Sequence, residues 1–344
     1  MGALMLVANL EVRRGAFTFQ AGFEALNDEI VAVVGPNGSG KTSMLRAVAG
    51  LEPLRTGSLR SGSAVWEDTE HGIRLSPEDR SVGYVPQAGL LFRHMSVLDN
   101  VAFASGGDES VARNWLEKLG LDALADLRPA QLSGGQVQLV SLARALAREP
   151  EVLLLDEPLA SVDAANRSDV RRQLRQQLRQ TAAVRMIVTH DAVEAAAIAD
   201  RILVVDEGRI TQRGTIDELL THPRSSYVAE LVGVNFYSGI ARDGSVEVQG
   251  GGTIHAGHAV SGDVNVTVHP RAVALHIDKP TGTPRNVWPG TVRAIEPSLD
   301  HVRVTVEGQL RVVAEVTREG AELLSESGPV WVSIKASEVN SFPR

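Results

Sequence analysis

The sequence predicts an α/β nucleotide-binding domain followed by a small all-β domain, and three of its features indicate this order. A glycine-rich loop at 35–42 separates an apolar run from a stretch with helical spacing, which is the pattern of a phosphate-binding strand, loop and helix. The apolar run 152–155 ends on two carboxylates. After about residue 232, helical patterns are replaced by short alternating runs separated by glycines. We therefore predict one domain at 1–232 and a second at 233–344.

The glycine-rich loop fits the phosphate-binding pattern G-x-x-x-x-G-K-[ST]. It follows the β-branched run 29–34, which predicts a buried strand, and it precedes a helical pattern at 42–50. In this setting, backbone N–H groups and a helix N-terminus face a phosphate. We expect Lys41 to reach the β- and γ-phosphates and the Thr42 hydroxyl to bind Mg²⁺. The candidate ATP-binding residues are Gly35, Pro36, Asn37, Gly38, Ser39, Gly40, Lys41, Thr42 and Ser43.

Two carboxylates follow the strand predicted at 152–155. Its four consecutive apolar residues indicate a central strand that is buried on both faces. Asp156 and Glu157 then stand at the carboxyl end, where open α/β sheets place their ligands. We expect Asp156 to hold Mg²⁺ and Glu157 to act as the general base for an attacking water.

A second glycine-containing motif, Leu-Ser-Gly-Gly-Gln, occupies residues 132–136 and precedes the helical stretch 137–148. Ser133 and the amides of Gly134 and Gly135 therefore form a helix N-terminus that can receive an anion. With the loop at 35–42 and the Asp156-Glu157-Pro158 sequence, this motif resembles the ATP-binding subunits of ABC transporters.

The resemblance covers about residues 4–232 and implies a P-loop NTPase fold with a helical subdomain at about 88–148. It implies that Gln87 touches Mg²⁺ and water, and that His190 contacts the γ-phosphate and joins Glu157 and Gln87 as a catalytic residue. It also implies a homodimer, in which each chain closes over the ATP of its partner. The residues implied to face the partner's ATP are Ser133, Gly134, Gly135, Gln136 and Asp163.

Membrane partners are implied by the same resemblance. Two integral membrane permease subunits would dock on residues 89–104 from the membrane, and a separate extracellular or periplasmic binding protein would supply the solute. The chain would then act at the cytoplasmic face of the cell membrane. The apolar residues of this segment fit either a docking surface or the core of the helical subdomain. The aromatic residue expected to stack on adenine is equally open, because Phe17 and Phe19 also read as strand residues facing a core.

Composition limits the other function classes. The 344 residues carry a net charge of −8, so no basic surface for nucleic acid is expected. The chain has no cysteine, which excludes disulfides and cysteine metal sites. No apolar run approaches the ~18–20 residues of a membrane-spanning helix. The short apolar start is interrupted by Glu11, Arg13 and Arg14, so no signal peptide is expected.

The region after residue 232 predicts a barrel-like β-domain made of two repeated units, at about 235–280 and 285–340. It resembles the β-domain appended to importer ATPases for oxyanions, and its second unit resembles the molybdate-binding type. The candidate oxyanion donors are backbone amides near Arg285 and Asn286, together with Ser333 and Lys335. The alternative is that this domain only dimerises.

These patterns lead to one hypothesis with two alternatives. The chain is expected to be the ATP-hydrolysing, energy-coupling subunit of an ABC importer for molybdate or tungstate. The alternatives are an importer ATPase for another solute, such as sulfate or ferric iron, and a soluble ABC ATPase outside transport.

Overall fold

The computed structural model describes residues 5–258, 261–298 and 300–344. Contacts divide the chain into two compact units, which meet in sequence between Ile216 and Asp217. The boundary predicted at residue 232 coincides with the end of a short helix that this division groups with the C-terminal unit.

The N-terminal unit is built on one large sheet. Its strands are β1 (Met5–Arg14), β2 (Phe17–Leu26), β3 (Ile30–Val34), β4 (Thr56–Ser61), β5 (Ala64–Asp68), β6 (Ile73–Arg74), β7 (Val82–Val85), β8 (Val152–Asp156), β9 (Val184–Val188), β10 (Arg201–Asp206) and β11 (Arg209–Gly214). They follow the order β6-β5-β4-β1-β2-β11-β10-β3-β9-β8-β7. The pairs from β10 to β7 are parallel, whereas β1 pairs antiparallel with β2 and β4.

Burial explains which strands form the parallel centre. Every residue of β3, β8 and β9 is buried, as expected for strands that are covered on both faces. In β1 and β2, buried and exposed residues alternate, so these strands cover the core with one face only. Because adjacent parallel strands end at the same edge, the residues that follow β3, β7, β8 and β9 are brought together there.

Helices of the N-terminal unit are α1 (Lys41–Val48), α2 (Val97–Ala102), α3 (Glu109–Lys118), α4 (Gly134–Leu146), α5 (Arg167–Gln180) and α6 (Ala192–Ile198). Helices α2, α3 and α4 pack on one another between strands β7 and β8 of the sequence. Two of these helices begin with capping boxes, at Ser96 and Ser133, which satisfy backbone N–H groups that the first helical turn leaves unpaired.

The described residues of the C-terminal unit form two sheets of five strands each. Its helices are α7 (Ile216–Thr221), α8 (Ser226–Val232) and α9 (Arg318–Glu322), and its strands are β12 (Asn235–Arg242), β13 (Ser245–Val248), β14 (Thr253–His255), β15 (Gly262–Val268), β16 (Val273–His276), β17 (Asn286–Pro297), β18 (Val302–Gly308), β19 (Val312–Val316), β20 (Pro329–Ile334) and β21 (Val339–Pro343). The strand orders are β14-β13-β12-β15-β21 and β16-β20-β17-β18-β19. All of these neighbours are antiparallel.

One sheet consists of β12 to β15 from the first half of the unit plus β21 from the second half, and the other consists of β17 to β20 from the second half plus β16 from the first half. Strand β16 pairs with β20 through Val273 and Ile334, and β21 pairs with β15 through Val339 and Val268. The two sheets enclose one apolar core, to which both contribute valines. Neither half can therefore complete its sheet alone. The predicted fold class, an α/β domain followed by a small all-β domain, is confirmed.

Candidate nucleotide site

The glycine-rich loop lies between β3 and the N-terminus of α1 and leaves no room for larger side chains at two positions. A Cβ atom at Gly35 would overlap the carbonyl oxygen of Val205 in β10. Gly40 precedes α1 with φ of 106°, and a Cβ atom there would lie 2.6 Å from Cδ2 of Phe19. The loop therefore passes close to the sheet, and only glycine meets both constraints.

Two polar side chains of the loop are positioned for an anion. Lys41 Nζ donates to the carbonyl oxygens of Gly35 and Pro36, at 2.8 and 2.9 Å, and burial lowers the pKa of Lys41. The Ser39 hydroxyl is buried without a hydrogen-bond partner. Such a group costs about 1–3 kcal/mol when it stays unpaired, and a phosphate oxygen in the loop would satisfy it. These residues fit a bound phosphate.

Thr42 and Asp156 meet across the gap between α1 and β8. The Thr42 hydroxyl donates to Asp156 Oδ1 at 3.3 Å, and the Tyr84 hydroxyl donates to Oδ2 at 3.2 Å. Burial raises the pKa of both Asp156 and Tyr84. A hydroxyl and a carboxylate are the hard oxygen donors that suit Mg²⁺ bound with substrate phosphates. The residues therefore also fit this ion.

Glu157 brings the three predicted catalytic residues together. Gln87 Nε2 donates to Glu157 Oε2 at 2.9 Å, and His190 Nδ1 lies 3.3 Å from Oε1. Glu157 has φ of 47°, a left-handed conformation that a non-glycine residue adopts at a cost, and its backbone N–H donates to Val188 O at 2.9 Å. Gln87, Glu157 and His190 follow β7, β8 and β9 respectively. Their contact is thus a consequence of strand order.

The Leu-Ser-Gly-Gly-Gln motif begins α4. Ser133 is the N-cap, and its side chain and that of Gln136 bond to each other's backbone N–H groups. A Cβ atom at Gly134 would overlap the carbonyl oxygen of Ser161, so only glycine lets this turn approach the loop at 161–163. Asp163 in that loop accepts from Asn166, which lowers the pKa of Asp163. The motif and Asp163 therefore belong to neighbouring loops.

A cavity of about 320 Å³ adjoins the phosphate loop. Of the two aromatic candidates for adenine stacking, one lines this cavity and the other does not. Phe17 lines this cavity, with a ring atom 3.2 Å from where a Gly40 Cβ would stand. Phe19 is fully buried in the core. Arg14 also lines the cavity, although sequence reasoning did not single it out. Arg14 ends β1 and pairs with Phe17 across the β1–β2 hairpin, and this pairing is the signal that could have identified it.

The segment 89–104 contributes to a second cavity of about 320 Å³ on the helical subdomain. The side chains of Leu90 and Phe103 are 66% and 60% exposed, and the rings of Phe92 and Phe103 meet edge to face with centroids 4.9 Å apart. Arg144 lies over the Phe92 ring and donates to the carbonyl oxygens of Gly89 and Leu90. We call this the α2–α4 groove; it is lined by Val82, Gly83, Tyr84, Leu90, Phe92, Phe103, Ala104, Arg144, Ala145 and Arg148.

Among the described residues of the C-terminal unit, two of the four candidate oxyanion positions line one cavity. Ser333 and Lys335 line a cavity of about 590 Å³, together with His269, Arg271 and other residues. The Ser333 hydroxyl lies 2.9 Å from His276 Nε2. Arg285 is exposed, and neither it nor Asn286 is among the residues that line this cavity.

Asn286 instead connects the two sheets. Its buried amide accepts from the backbone N–H of His255 at 2.6 Å and donates to the carbonyl oxygens of His255 and Ile334 at 2.9 and 3.3 Å. Asn235 makes the same three bonds in the other half, to the N–H and carbonyl of Val313 and to the carbonyl of Val268. The three bonds of Asn286 use both the oxygen and the nitrogen of its side-chain amide.

Comparison with known families agrees with this architecture. The ABC transporter family model matches residues 20–160, and the TOBE domain model matches residues 282–340. The solved structure of the ATP-binding cassette MJ0796, a dimer bound to ADP and Pi, has the same fold with a TM-score of 0.53 and 23% identity, covering 61% of this chain and 98% of that one. The architecture is that of an ATP-binding cassette followed by a β-domain.

Relatives of nearly equal length establish the family. The molybdenum import ATP-binding protein ModC of Mycobacterium tuberculosis (strain CDC 1551 / Oshkosh) is 37% identical over 343 residues, covering 93% of each chain. The sulfate/thiosulfate import ATP-binding protein CysA of Methylococcus capsulatus is 37% identical and covers 91% of this chain and 92% of its own. The sn-glycerol-3-phosphate import ATP-binding protein UgpC of Jannaschia sp. is 34% identical, covering 93% of this chain and 91% of its own. The chain belongs to the ABC transporter family, among its ATP-binding proteins, and the predicted resemblance is confirmed.

Among the residues that the structure describes, no helix is both long and apolar enough to cross a membrane.

Proposed function

We propose that this chain hydrolyses ATP to drive the import of molybdate or tungstate by a membrane transporter. The observation that carries the proposal is the contact of Glu157 with Gln87 and His190, beside the phosphate loop that holds Lys41. A carboxylate held by two polar side chains next to a phosphate site is arranged to activate a water. The similarity to the molybdenum import protein favours the cargo.

The chain's own residues divide the catalytic work. When ATP binds, the Lys41 ammonium would exchange its bonds to the loop carbonyls for bonds to the β- and γ-phosphates. The backbone N–H groups of residues 35–42 would bond the phosphate oxygens. Thr42, Asp156 and Gln87 would hold Mg²⁺, which neutralises charge on the phosphate oxygens. Glu157 accepts the proton of the attacking water, and His190 orients toward the γ-phosphate. The Phe17 ring, which lines the cavity beside the phosphate loop, would stack on adenine.

The active unit is a homodimer. The N-terminus of α4 carries Ser133, Gly134, Gly135 and Gln136, and the neighbouring loop carries Asp163, so the two segments form a single surface that one ATP of the partner subunit would contact. Two ATP molecules would be enclosed between two chains. ATP binding would close the dimer, and hydrolysis would reopen it.

The α2–α4 groove is the proposed docking site for the permease. Partly exposed apolar side chains line it, and Arg144 and Arg148 add positive charge. This combination fits a short cytoplasmic helix of an integral membrane subunit that presents an apolar side chain. Two permease subunits would hold the dimer at the cytoplasmic face of the membrane, and a separate binding protein outside the cell would deliver the anion.

The cavity of the C-terminal unit is the proposed site for intracellular oxyanion. Ser333 offers a hydroxyl, and Lys335 and two histidines offer N–H donors. Arg271 also lines the cavity but is paired with Glu315 at 2.9 Å, and Glu338 adds one carboxylate to the lining. The side-chain amide of Asn286 is not proposed as a donor, because it is already bonded to backbone groups. Binding of intracellular anion in this cavity would regulate the ATPase according to the internal anion concentration.

Sulfate is the second candidate cargo, since sulfate/thiosulfate import proteins are also similar to this chain.

Glu157→Gln tests the catalytic assignment. The amide oxygen of glutamine still accepts from Gln87, so the site keeps its shape, but the side chain no longer takes a proton at neutral pH. ATP turnover should fall about 10²–10⁴-fold, while ATP binding and ATP-dependent dimerisation persist. Glu78→Gln, at an exposed glutamate of the same unit, is the control and should keep full turnover. Unchanged turnover in Glu157→Gln would remove Glu157 from the mechanism.

The cargo is tested by calorimetric titration of the full chain with molybdate, with sulfate as the competing anion. Selective molybdate binding that Lys335→Gln weakens supports both the cargo and the cavity. Equal or tighter sulfate binding would transfer the proposal to sulfate import, and it would leave the ATPase assignment unaffected.

A further inference from the structure

Tyr84 contacts the proposed metal carboxylate at the oxygen that Thr42 of the phosphate loop does not bond. It lies in β7, paired in parallel register with Leu154 of β8, two residues before Asp156. Its hydroxyl donates to Asp156 Oδ2 at 3.2 Å. Nothing in the proposed mechanism uses this contact.

The two oxygens of Asp156 have different partners. Oδ1 accepts from the Thr42 hydroxyl, which belongs to the phosphate loop, whereas Oδ2 accepts from Tyr84. A carboxylate that is held at one oxygen can still rotate about its Cβ–Cγ bond. Held at both, it keeps Oδ1 turned toward Thr42, where a cation coordinated by the threonine hydroxyl would lie.

The Tyr84 ring is itself restrained by packing. It is half-buried and packs against the apolar core of the N-terminal unit, and its other side lines the α2–α4 groove. The core on one face of the ring and the pairing of β7 with β8 place its hydroxyl beside Asp156, while the groove side of the ring stays open. A donor placed in this way is what an outer ligand of a metal site requires.

We infer that Tyr84 is a positioning residue that orients Asp156 for the divalent cation and thereby sets the affinity of the nucleotide site for that cation. The inference rests on the proposed MgATP site. Removal of a hydrogen-bond partner of a metal ligand commonly weakens metal binding 10–100-fold. A bond of 3.2 Å belongs at the weaker end, so a loss of about tenfold is expected for Tyr84→Phe.

The test is titration of the full chain with Mn²⁺ in the presence of a non-hydrolysable ATP analogue, followed by the loss of the free-ion paramagnetic resonance signal. The loss caused by the analogue alone, without protein, is measured and subtracted. Tyr84→Phe should bind Mn²⁺ about tenfold more weakly than the wild-type protein. Its affinity for the analogue in EDTA should not change, because the hydroxyl does not contact the phosphate loop. Tyr237→Phe is the matched control, since that hydroxyl donates to Arg311 O in the other unit, and it should bind Mn²⁺ like the wild type.

The outcomes separate this inference from the proposed function. Equal Mn²⁺ affinity in Tyr84→Phe and wild type would overturn the inference, also if the variant unfolds at a lower temperature, because the contact would then be structural only. Loss of analogue binding in EDTA would overturn it as well, since the hydroxyl would act on the nucleotide. If the wild-type chain itself binds no Mn²⁺ with the analogue, the proposed metal site fails and the inference fails with it.

Discussion

The cross-sheet asparagines of the C-terminal unit allow a quantitative prediction. Asn286 begins β17 and is 3% exposed, and its amide makes three hydrogen bonds to backbone groups of β14 and β20. Two of these bonds reach His255 in the other sheet. Replacement by alanine removes all three bonds and leaves the N–H and carbonyl of His255 without this partner.

The expected cost follows from the number of bonds. A buried hydrogen bond contributes about 0.5–1.5 kcal/mol net, so the loss of three bonds predicts that Asn286→Ala destabilises the C-terminal unit by about 1.5–4.5 kcal/mol. Asn235→Ala should cost a similar amount, because Asn235 makes the equivalent three bonds to Val313 and Val268. Ser238→Ala, which removes a single side-chain bond to Asn265, is the milder control.

Differential scanning calorimetry of the full chain measures this effect. A nucleotide stabilises the unit that binds it, so the transition that shifts with ATP identifies the N-terminal unit and serves as an internal reference. Both asparagine variants should lower the other transition and leave the reference unchanged. If Asn286→Ala melts at the wild-type temperature while Asn235→Ala does not, the symmetric role assigned to the two asparagines is wrong.

Two further predictions concern buried charges of the N-terminal unit. Arg80 is fully buried, bonds Glu67 at 2.5 Å and donates to the last carbonyls of α1. Arg80→Met should cost about 3–5 kcal/mol in urea unfolding, because buried Glu67 loses its close cationic partner and keeps only the Leu54 N–H and the more distant Arg74. The double variant with Glu67→Met should recover part of this loss, and equal stabilities for the two variants would contradict the pairing. Burial raises the pKa of Glu194, so its contribution to stability is full below the pKa of an unfolded-chain glutamate and is lost as pH rises through the folded-state pKa. Glu194→Gln should therefore gain stability relative to wild type as pH rises above the ordinary glutamate pKa of about 4.3, and a loss of relative stability over that rise would refute the assigned cause.

Sequence patterns predicted the parts of the site that depend on local structure. Lys41 and Thr42 follow a glycine-rich turn, and Ser133 caps a helix, so their roles depend on neighbours within a few residues. Buried strands were also predictable, because continuous apolar runs such as 152–155 need cover on both faces. Gln87 and His190 could be named only through the family resemblance, since a glutamine or histidine after a strand has no distinctive local pattern.

Non-local contacts escaped prediction. No local pattern marks Tyr84, because its bond to Asp156 arises from the pairing of β7 with β8 across about seventy residues of chain. Arg14 was overlooked, because the cavity that it lines is formed by the β1–β2 hairpin and the loop after β3. The role of the Asn286 side chain was also missed, because its amide bonds to backbone groups that only the arrangement of two sheets brings near.

The amino-acid sequence by itself determined the phosphate loop, the capped α4 motif, the buried parallel strands and the change from α/β to all-β structure. Each of these depends on residue type, periodicity or turn geometry over a short stretch. The tertiary structure decided that Glu157 contacts Gln87 and His190, and that Phe17 rather than Phe19 lines the cavity beside the phosphate loop. It also decided that β16 joins the sheet of β17 to β20 and that β21 joins the sheet of β12 to β15. These facts depend on which strands are neighbours, and strand order is set by packing of the whole core rather than by any local pattern.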